Sequence, residues 1–450
     1  MKRSDRILSS LLLLGAAVTI AYWINYVVAG DVRVVPDLWY SAFEDAFPVA
    51  DGWMCLCMIG AGIGFWRGKR SAPSPPSRCA GVAHWPRLAA QTRNAHDLTP
   101  MRPWLQFTLA TLSAFGWPSI AAAQRVEAVW YLGGGEKGIQ SFIAHADQIT
   151  IVAPQVFAMD STGKIRGHVD PRIIETARAK GVKLMPLVVN PGFDQRALHR
   201  ILTNRVARTR ALRSLAALCR GSLFDGIQFD FENIHIRDKD AFTAFTRQAV
   251  DSVHHAGCQL SAALVPRLGE NPGTTSYDRW IYDNWRGAYD LKALADTLDF
   301  ISYMTYAQHT GESPPGPVAG YPWMMGCLRY LLSLDVSPSK ISLGLASYSD
   351  WWYPTYNKRN GPRLRGSDIS FVRGKAILDS AGVVPVWDSV QKAPHAEWED
   401  HGVFRHVWLE DARAFMAKLE LVNQYHLRGY STWVLGTEDD AVWGMLEGRH

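Results

Sequence analysis

Residues 224–233 read Phe224-Asp225-Gly226-Ile227-Gln228-Phe229-Asp230-Phe231-Glu232-Asn233. Apolar and polar side chains alternate through the stretch, which is the period of a strand, where residues i and i+2 face the same side. Asp230 and Glu232 therefore present two carboxylates in one direction at the strand's end. An isolated Asp-x-Glu at such a place is ordinary surface polarity. Here Asp225-Gly226 precedes it and Asn233 follows it, so that the spacing over 225–232 is D-x-x-Q-x-D-x-E.

Outward from that strand, short apolar runs recur at 126–131, 148–153, 183–189, 226–231, 259–265, 299–304, 340–346 and 429–434. Amphipathic, charged stretches lie between several of them, at 171–180, 208–220, 240–255 and 411–425. Phe242, Phe245, Ala249, Val250 and Val253 share one side of the third of these, as a core-facing helix requires. Strand and helix in alternation predict parallel strands joined by helices, and eight such units fit an α/β (β/α)8 TIM barrel. The fourth run then carries Asp230 and Glu232 at its C-terminal end, where barrels of this kind place their active sites.

The longest irregular stretch, 349–405, follows the seventh run and is rich in Trp, Tyr, Pro and Gly. It reads as an insertion, either a wall of the cleft with Trp351, Trp352 and Tyr353 available to stack on sugar faces or a small packed subdomain.

The D-x-x-Q-x-D-x-E segment resembles the D-x-x-D-x-D-x-E signature of glycoside hydrolase family 18, and other parts of 126–446 agree. Met304 and Tyr306 match the Met-x-Tyr-Asp motif at the end of that family's sixth strand, with Ala307 where the family has Asp. Trp433 stands where the eighth strand carries a Trp under the sugar. The run from Trp433 to Trp443 is similar to family members that act on spore cortex and other peptidoglycan, and 340–348 is similar to their seventh strand.

The resemblance implies a β-N-acetylglucosaminidase or chitinase without metal or cofactor, acting on GlcNAc-containing polysaccharide by a retaining mechanism in which the substrate's acetamido oxygen is the nucleophile. Glu232 would be the acid and then the base, and Asp230 would orient the acetamido N–H. Tyr306 would hydrogen-bond the attacking oxygen, and Gln228, Met304 and Trp433 would contact substrate. Ala307 takes a carboxylate from the sugar site, leaving Gln308 or His309 as substitutes, although His309 reads more simply as a loop residue. It also keeps a second function open, a carbohydrate-binding protein on the same barrel with impaired catalysis.

The chain has 450 residues and a formal charge of +5. The basic excess does not mark a nucleic-acid binder, because Lys2, Arg3, Arg6, Arg67, Lys69, Arg70 and Arg102 flank apolar segments at the front, as membrane topology would have them. Residues 7–30 form an uncharged stretch long enough to span a bilayer, and 47–66 a weaker one interrupted by Asp51. Pro and Ser make 71–100 a linker.

Residues 101–123 have the basic start, apolar run and small-residue end of a secretory signal, or form a third membrane segment; a buried core helix is the remaining alternative. Either of the first two exports the barrel, 124–450, to the outside of the membrane.

Of six cysteines, Cys219, Cys258 and Cys327 fall in the barrel. Cys219 and Cys258 read as buried small hydrophobes, with a bridge between them the alternative that spacing does not decide. No spacing resembles a zinc site.

Overall fold

In the computed structural model the described residues are 126–447, except 222 and 358–360, together with positions 10, 13, 16, 17 and 19. The chain divides into two compact units, Met1–Gly116 and Trp117–His450. Apart from those five positions, the expected membrane segments, linker and signal lie outside the described residues. Among the described residues no helix is long and apolar enough to cross a membrane.

Eight parallel strands close on themselves: Glu127–Leu132, Ile151–Met159, Leu187–Val189, Gly226–Asp230, Gln259–Leu264, Ile301–Tyr303, Ile341–Ala346 and Gly429–Trp433, the first pairing with both the second and the eighth. All eight expected runs are strands, and helices connect them as in a (β/α)8 barrel. The third is broken. Lys183–Leu184 and Leu187–Val189 both pair with the second strand, and Pro186 between them has no N–H to continue the ladder. Local signals set the helix ends: Pro171–Lys180 begins at Asp170, whose carboxylate accepts from the Arg172 N–H, and stops at Gly181 with φ +67°.

In the fourth strand the alternation has the consequence expected of it. Ile227, Phe229 and Phe231 point outward into the main core with Phe242 and Phe245 of helix Lys239–His254, the Phe229 and Phe231 rings 4.7 Å apart. Gln228 and Asp230 are buried without belonging to that core.

Gln228 sits in a polar layer inside the barrel. Its Nε2 donates to Ser261 Oγ and Ser302 Oγ, both at 3.0 Å, and hydroxyl contacts continue from Ser302 to Ser431 and on to Ser342. The Gln228 amide nitrogen and the serine hydroxyls it leads to are paired, which makes a buried polar layer tolerable, while the Gln228 Oε1 is left without a partner among the described residues.

The stretch after the seventh strand is not irregular, which corrects that part of the reading from composition, and it is the small packed subdomain that was one of its two readings. It folds as a five-stranded sheet ordered 361–370, Tyr348–Asn357, Val403–Trp408, Ala393–Asp400, Val386–Asp388, with helix Phe371–Ala381 following the edge strand. Pro354 and Pro362 disguise the first hairpin as a loop, but Pro362 lies on the edge strand, where a missing N–H costs no ladder bond.

Cys219 and Cys258 are joined by a disulfide, not separate buried thiols, and Cys327 is free and buried. The bridge ties the end of helix Arg205–Cys219 to the residue before the fifth strand, across a sequence separation of 39. The double Ser variant should lose about 2–4 kcal/mol of stability by the loop-entropy relation. Urea unfolding of the two proteins measures the difference, and equal midpoints and slopes would show that the bridge adds nothing.

Candidate active site

Asp230 ends the fourth strand and Glu232 lies just past it, on the rim of a cleft of about 540 Å³ that Tyr306, Met304 and Trp433 also line. The turn is clamped from three sides. Asn190, fully buried after the third strand, donates from Nδ2 to the Glu232 carbonyl at 2.9 Å and accepts the Glu232 N–H at 3.1 Å. Tyr289 donates its hydroxyl to the Phe231 carbonyl at 2.8 Å. Asn233 takes φ +54°, a left-handed turn that Asn tolerates, so the chain leaves the strand immediately after Glu232.

The two carboxyls are coupled. Burial pushes Asp230 up to about 6, against the stabilising hydrogen bonds from Gln155 and Glu232. Burial pushes Glu232 up to about 8, and the Asp230 charge and the hydrogen bond to Asp230 add to it. At neutral pH the pair holds one proton, on Glu232, donated to Asp230. The Gln155 Nε2 group holds the other side of Asp230, donating to Oδ2 at 2.9 Å.

Removing that donor by Gln155→Ala makes the Asp230 carboxylate harder to maintain, so its apparent pKa rises. A pH–rate profile should then show the acid limb displaced upward and the maximal rate lowered about tenfold. An unmoved limb would show that Gln155 does not set the ionisation of Asp230.

Trp433 packs its ring 5.6 Å from Tyr131 at the base of the cleft. Tyr306 meets Tyr348 edge-on at 6.5 Å, and burial drives its hydroxyl pKa well above normal, so it remains a hydrogen-bond donor. Gln228 is absent from the wall. It is 1 % exposed and occupied by Ser261 and Ser302, which leaves it a support beneath Asp230, not a surface for substrate.

The expected aromatic wall is elsewhere. Trp352 is fully buried, Trp351 packs against the insertion's own core and on Tyr353 at 4.5 Å, and none of the three lines the cleft. Tyr277, Trp280 and Trp285, after the fifth strand, and Trp323, after the sixth, line it instead. Tyr277 and Trp280 are stacked at 6.2 Å while 60 % and 51 % exposed, an open platform at the cleft. Gln308 and His309 do not fill the place left by Ala307. Gln308 accepts from the Gly320 N–H, and His309 Nδ1 pairs with the Pro314 carbonyl, so both brace their own loop.

Sequence reasoning missed Asn190, Gln155 and Tyr289. Gln155 was findable as a polar residue in the second strand, which runs on to Met159 beyond the end of the apolar run at 153. Asn190 and Tyr289 act through backbone atoms of the fourth-strand turn, and no local pattern marks that.

The family model described as glycosyl hydrolases family 18 matches residues 128–438. The cortical fragment-lytic enzyme of Bacillus subtilis (strain 168) is 28 % identical over 275 residues, 61 % of this chain and 61 % of that protein. The match therefore spans about three fifths of that relative's length. The cortical fragment-lytic enzyme of Bacillus cereus is 24 % identical over 331 residues, 71 % of this chain and 74 % of that one. Among solved structures, a chitinase from Chromobacterium violaceum superposes with a TM-score of 0.63 at 25 % identity, covering 72 % of this chain and 98 % of that one.

Proposed function

The chain belongs to glycosyl hydrolases family 18, and from that membership we propose that it is a retaining β-N-acetylglucosaminidase acting on a GlcNAc-containing polymer, peptidoglycan first and chitin-type oligosaccharides second. The observation that carries the reading is the buried Asp230–Glu232 pair, both carboxyls pushed up by burial, beside Tyr306 and Trp433 in one cleft.

The Glu232 O–H protonates the glycosidic oxygen as the bond from C1 breaks, while the substrate's own acetamido carbonyl oxygen bonds to C1 and gives an oxazolinium ion. The charge that develops on the acetamido group is met by the Asp230 carboxylate, which accepts its N–H, and by the Tyr306 hydroxyl on the attacking oxygen. Water then bonds to C1 as the C1–O bond of the oxazolinium breaks and the acetamide is regenerated, and its proton passes to the Glu232 carboxylate, which restores the acid. The Trp433 ring is the apolar floor under the reacting sugar, and Met304 lines the same cleft.

The Bacillus subtilis and Bacillus cereus relatives are both named as cortical fragment-lytic enzymes, which supports peptidoglycan as the first substrate to try. The exposed Tyr277–Trp280 platform suits a chain extending past the reacting sugar. Export of the barrel, through the N-terminal segments, is part of the same proposal, and a disulfide in the barrel supports it because such bonds persist in oxidising compartments.

Digestion of purified sacculi and of GlcNAc oligomers, with product masses, tests the activity. Soluble fragments with GlcNAc at the new reducing end are expected, and release no greater than from Glu232→Gln protein sinks the enzyme reading. Ala307 favours the second reading, a binding protein, and that outcome with retained binding would establish it.

A further inference from the structure

The insertion brings one carboxylate to the cleft that the mechanism does not use. Asp368 lines the same cavity as Glu232, Tyr306 and Ala307. It is directly opposite Asp350 on the neighbouring antiparallel strand, so the two side chains share a face and lie next to each other. Asp350 is 2 % exposed, and neither of its carboxyl oxygens meets a donor among the described residues. The remaining acid close by, Glu410, is taken by an ion pair with Lys418. Two neighbouring carboxylates without a cation between them are compatible only when one keeps a proton, and burial holds that proton on Asp350, together with the charge of Asp368.

Asp368 is the neighbour to which a proton on Asp350 would be donated, while its own side chain stays exposed and lines the cleft. Ala307 lines the same cleft, and Tyr348 links the two residues. The Ala307 N–H faces the Tyr348 hydroxyl, Tyr348 lies within electrostatic reach of Asp350 and Asp368, and its ring meets Tyr306 edge-on.

We propose that Asp368, presented by the insertion and hydrogen-bonded by the buried Asp350, is the carboxylate that accepts hydroxyls of the sugar seated over Tyr306 and Ala307, replacing the carboxylate that residue 307 lacks. This rests on the cleft being a site for N-acetylhexosamine polymers. A fixed anion there favours a sugar with free hydroxyls over one carrying an anionic ether substituent, since like charges a few ångströms apart in a cleft repel strongly. The class of ligand at this position is therefore a neutral N-acetylhexosamine. Ala307 itself has φ +54°, a conformation that Asp adopts more readily than Ala, so a carboxylate can be put back at 307 without straining the backbone.

The test reads binding, in the full chain carrying Glu232→Gln so that the ligand stays intact. Calorimetric titration with the GlcNAc tetramer compares this parent with versions carrying Asp368→Asn, Asp368→Ser, and Asp368→Asn with Ala307→Asp, each checked by thermal melting. Loss of a charge-assisted hydrogen bond should weaken binding about tenfold or more in both single replacements, and Ala307→Asp should restore most of it.

Undiminished affinity in a folded Asp368 variant overturns the proposal. So does a loss that Ala307→Asp fails to restore, which would assign Asp368 to the insertion's fold. If the parent binds no tetramer at all, the polymer reading falls and takes this inference with it. Tight binding by both the parent and the Asp368 variants removes Asp368 alone.

Discussion

Glutamine in place of Glu232 lowers kcat on any polymer the wild-type protein cleaves by about a thousandfold, in the middle of the range for general acid–base catalysis, with KM changed far less. The replacement is nearly isosteric, and the Asn190 contacts to the residue 232 backbone do not depend on the side chain. What disappears is the ionisable carboxyl, and it is needed twice: as the acid that gives its proton to the leaving sugar, and as the carboxylate that then accepts a proton from water. Initial rates over a substrate range decide the matter, and a variant keeping a tenth of the activity would exclude Glu232 as the acid.

The same change has an opposite effect on stability. Glu232 is raised to about 8 in the folded protein, against about 4.3 unfolded, so the folded state binds this proton more tightly. Its contribution to stability is complete below the unfolded value and is lost as pH rises through 8. Glutamine never ionises. The variant should therefore melt several degrees above wild type at pH 9, by roughly 1–3 kcal/mol, and much closer to it at pH 4. A wild-type protein as stable as the variant at pH 9 would show that the carboxylate is not buried as described.

The barrel was legible because its information is local and periodic. Period-two alternation puts Phe229 and Phe231 in the outer core and Asp230 on the inner face, and any strand obeying that period would do the same. The insertion was legible in its place and as a small packed subdomain, but its strands were not, for the converse reason: its sheet hides prolines and aromatic residues within the strands, and residues such as Trp352 are buried within it. The disulfide joins residues that are neighbours only after the fourth and fifth strands pair, which spacing does not encode. Gln228 was visible as a departure from the family's pattern, but its location below Asp230 required the serine layer, assembled from four other strands. The adjacent carboxyls were readable in 230–232; the groups that hold that turn in place come from residues 155, 190 and 289, and are united only by barrel closure.

The Asp230→Asn replacement should lower kcat about a hundredfold or more and change the shape of the pH profile as well as its height. In wild type the working form carries one proton on the carboxyl pair. Activity therefore rises as Asp230 ionises at about 6 and falls as Glu232 loses its proton at about 8. The amide of the variant has no charge to acquire, so the acid limb belonging to Asp230 vanishes. The replacement also removes the like charge that helps raise Glu232, leaving burial alone, and the alkaline limb moves to lower pH. Gln228 makes the prediction sharper, since its amide is committed to Ser261 and Ser302 and carries no proton to exchange with Asp230. Asp230 is instead held between Gln155 and Glu232, so the only titrating partner for Glu232 in the pair is the group being replaced. A profile of kcat against pH for both proteins settles it: an alkaline limb at the wild-type position would show that burial alone, and not the Asp230 carboxylate, holds the proton on Glu232.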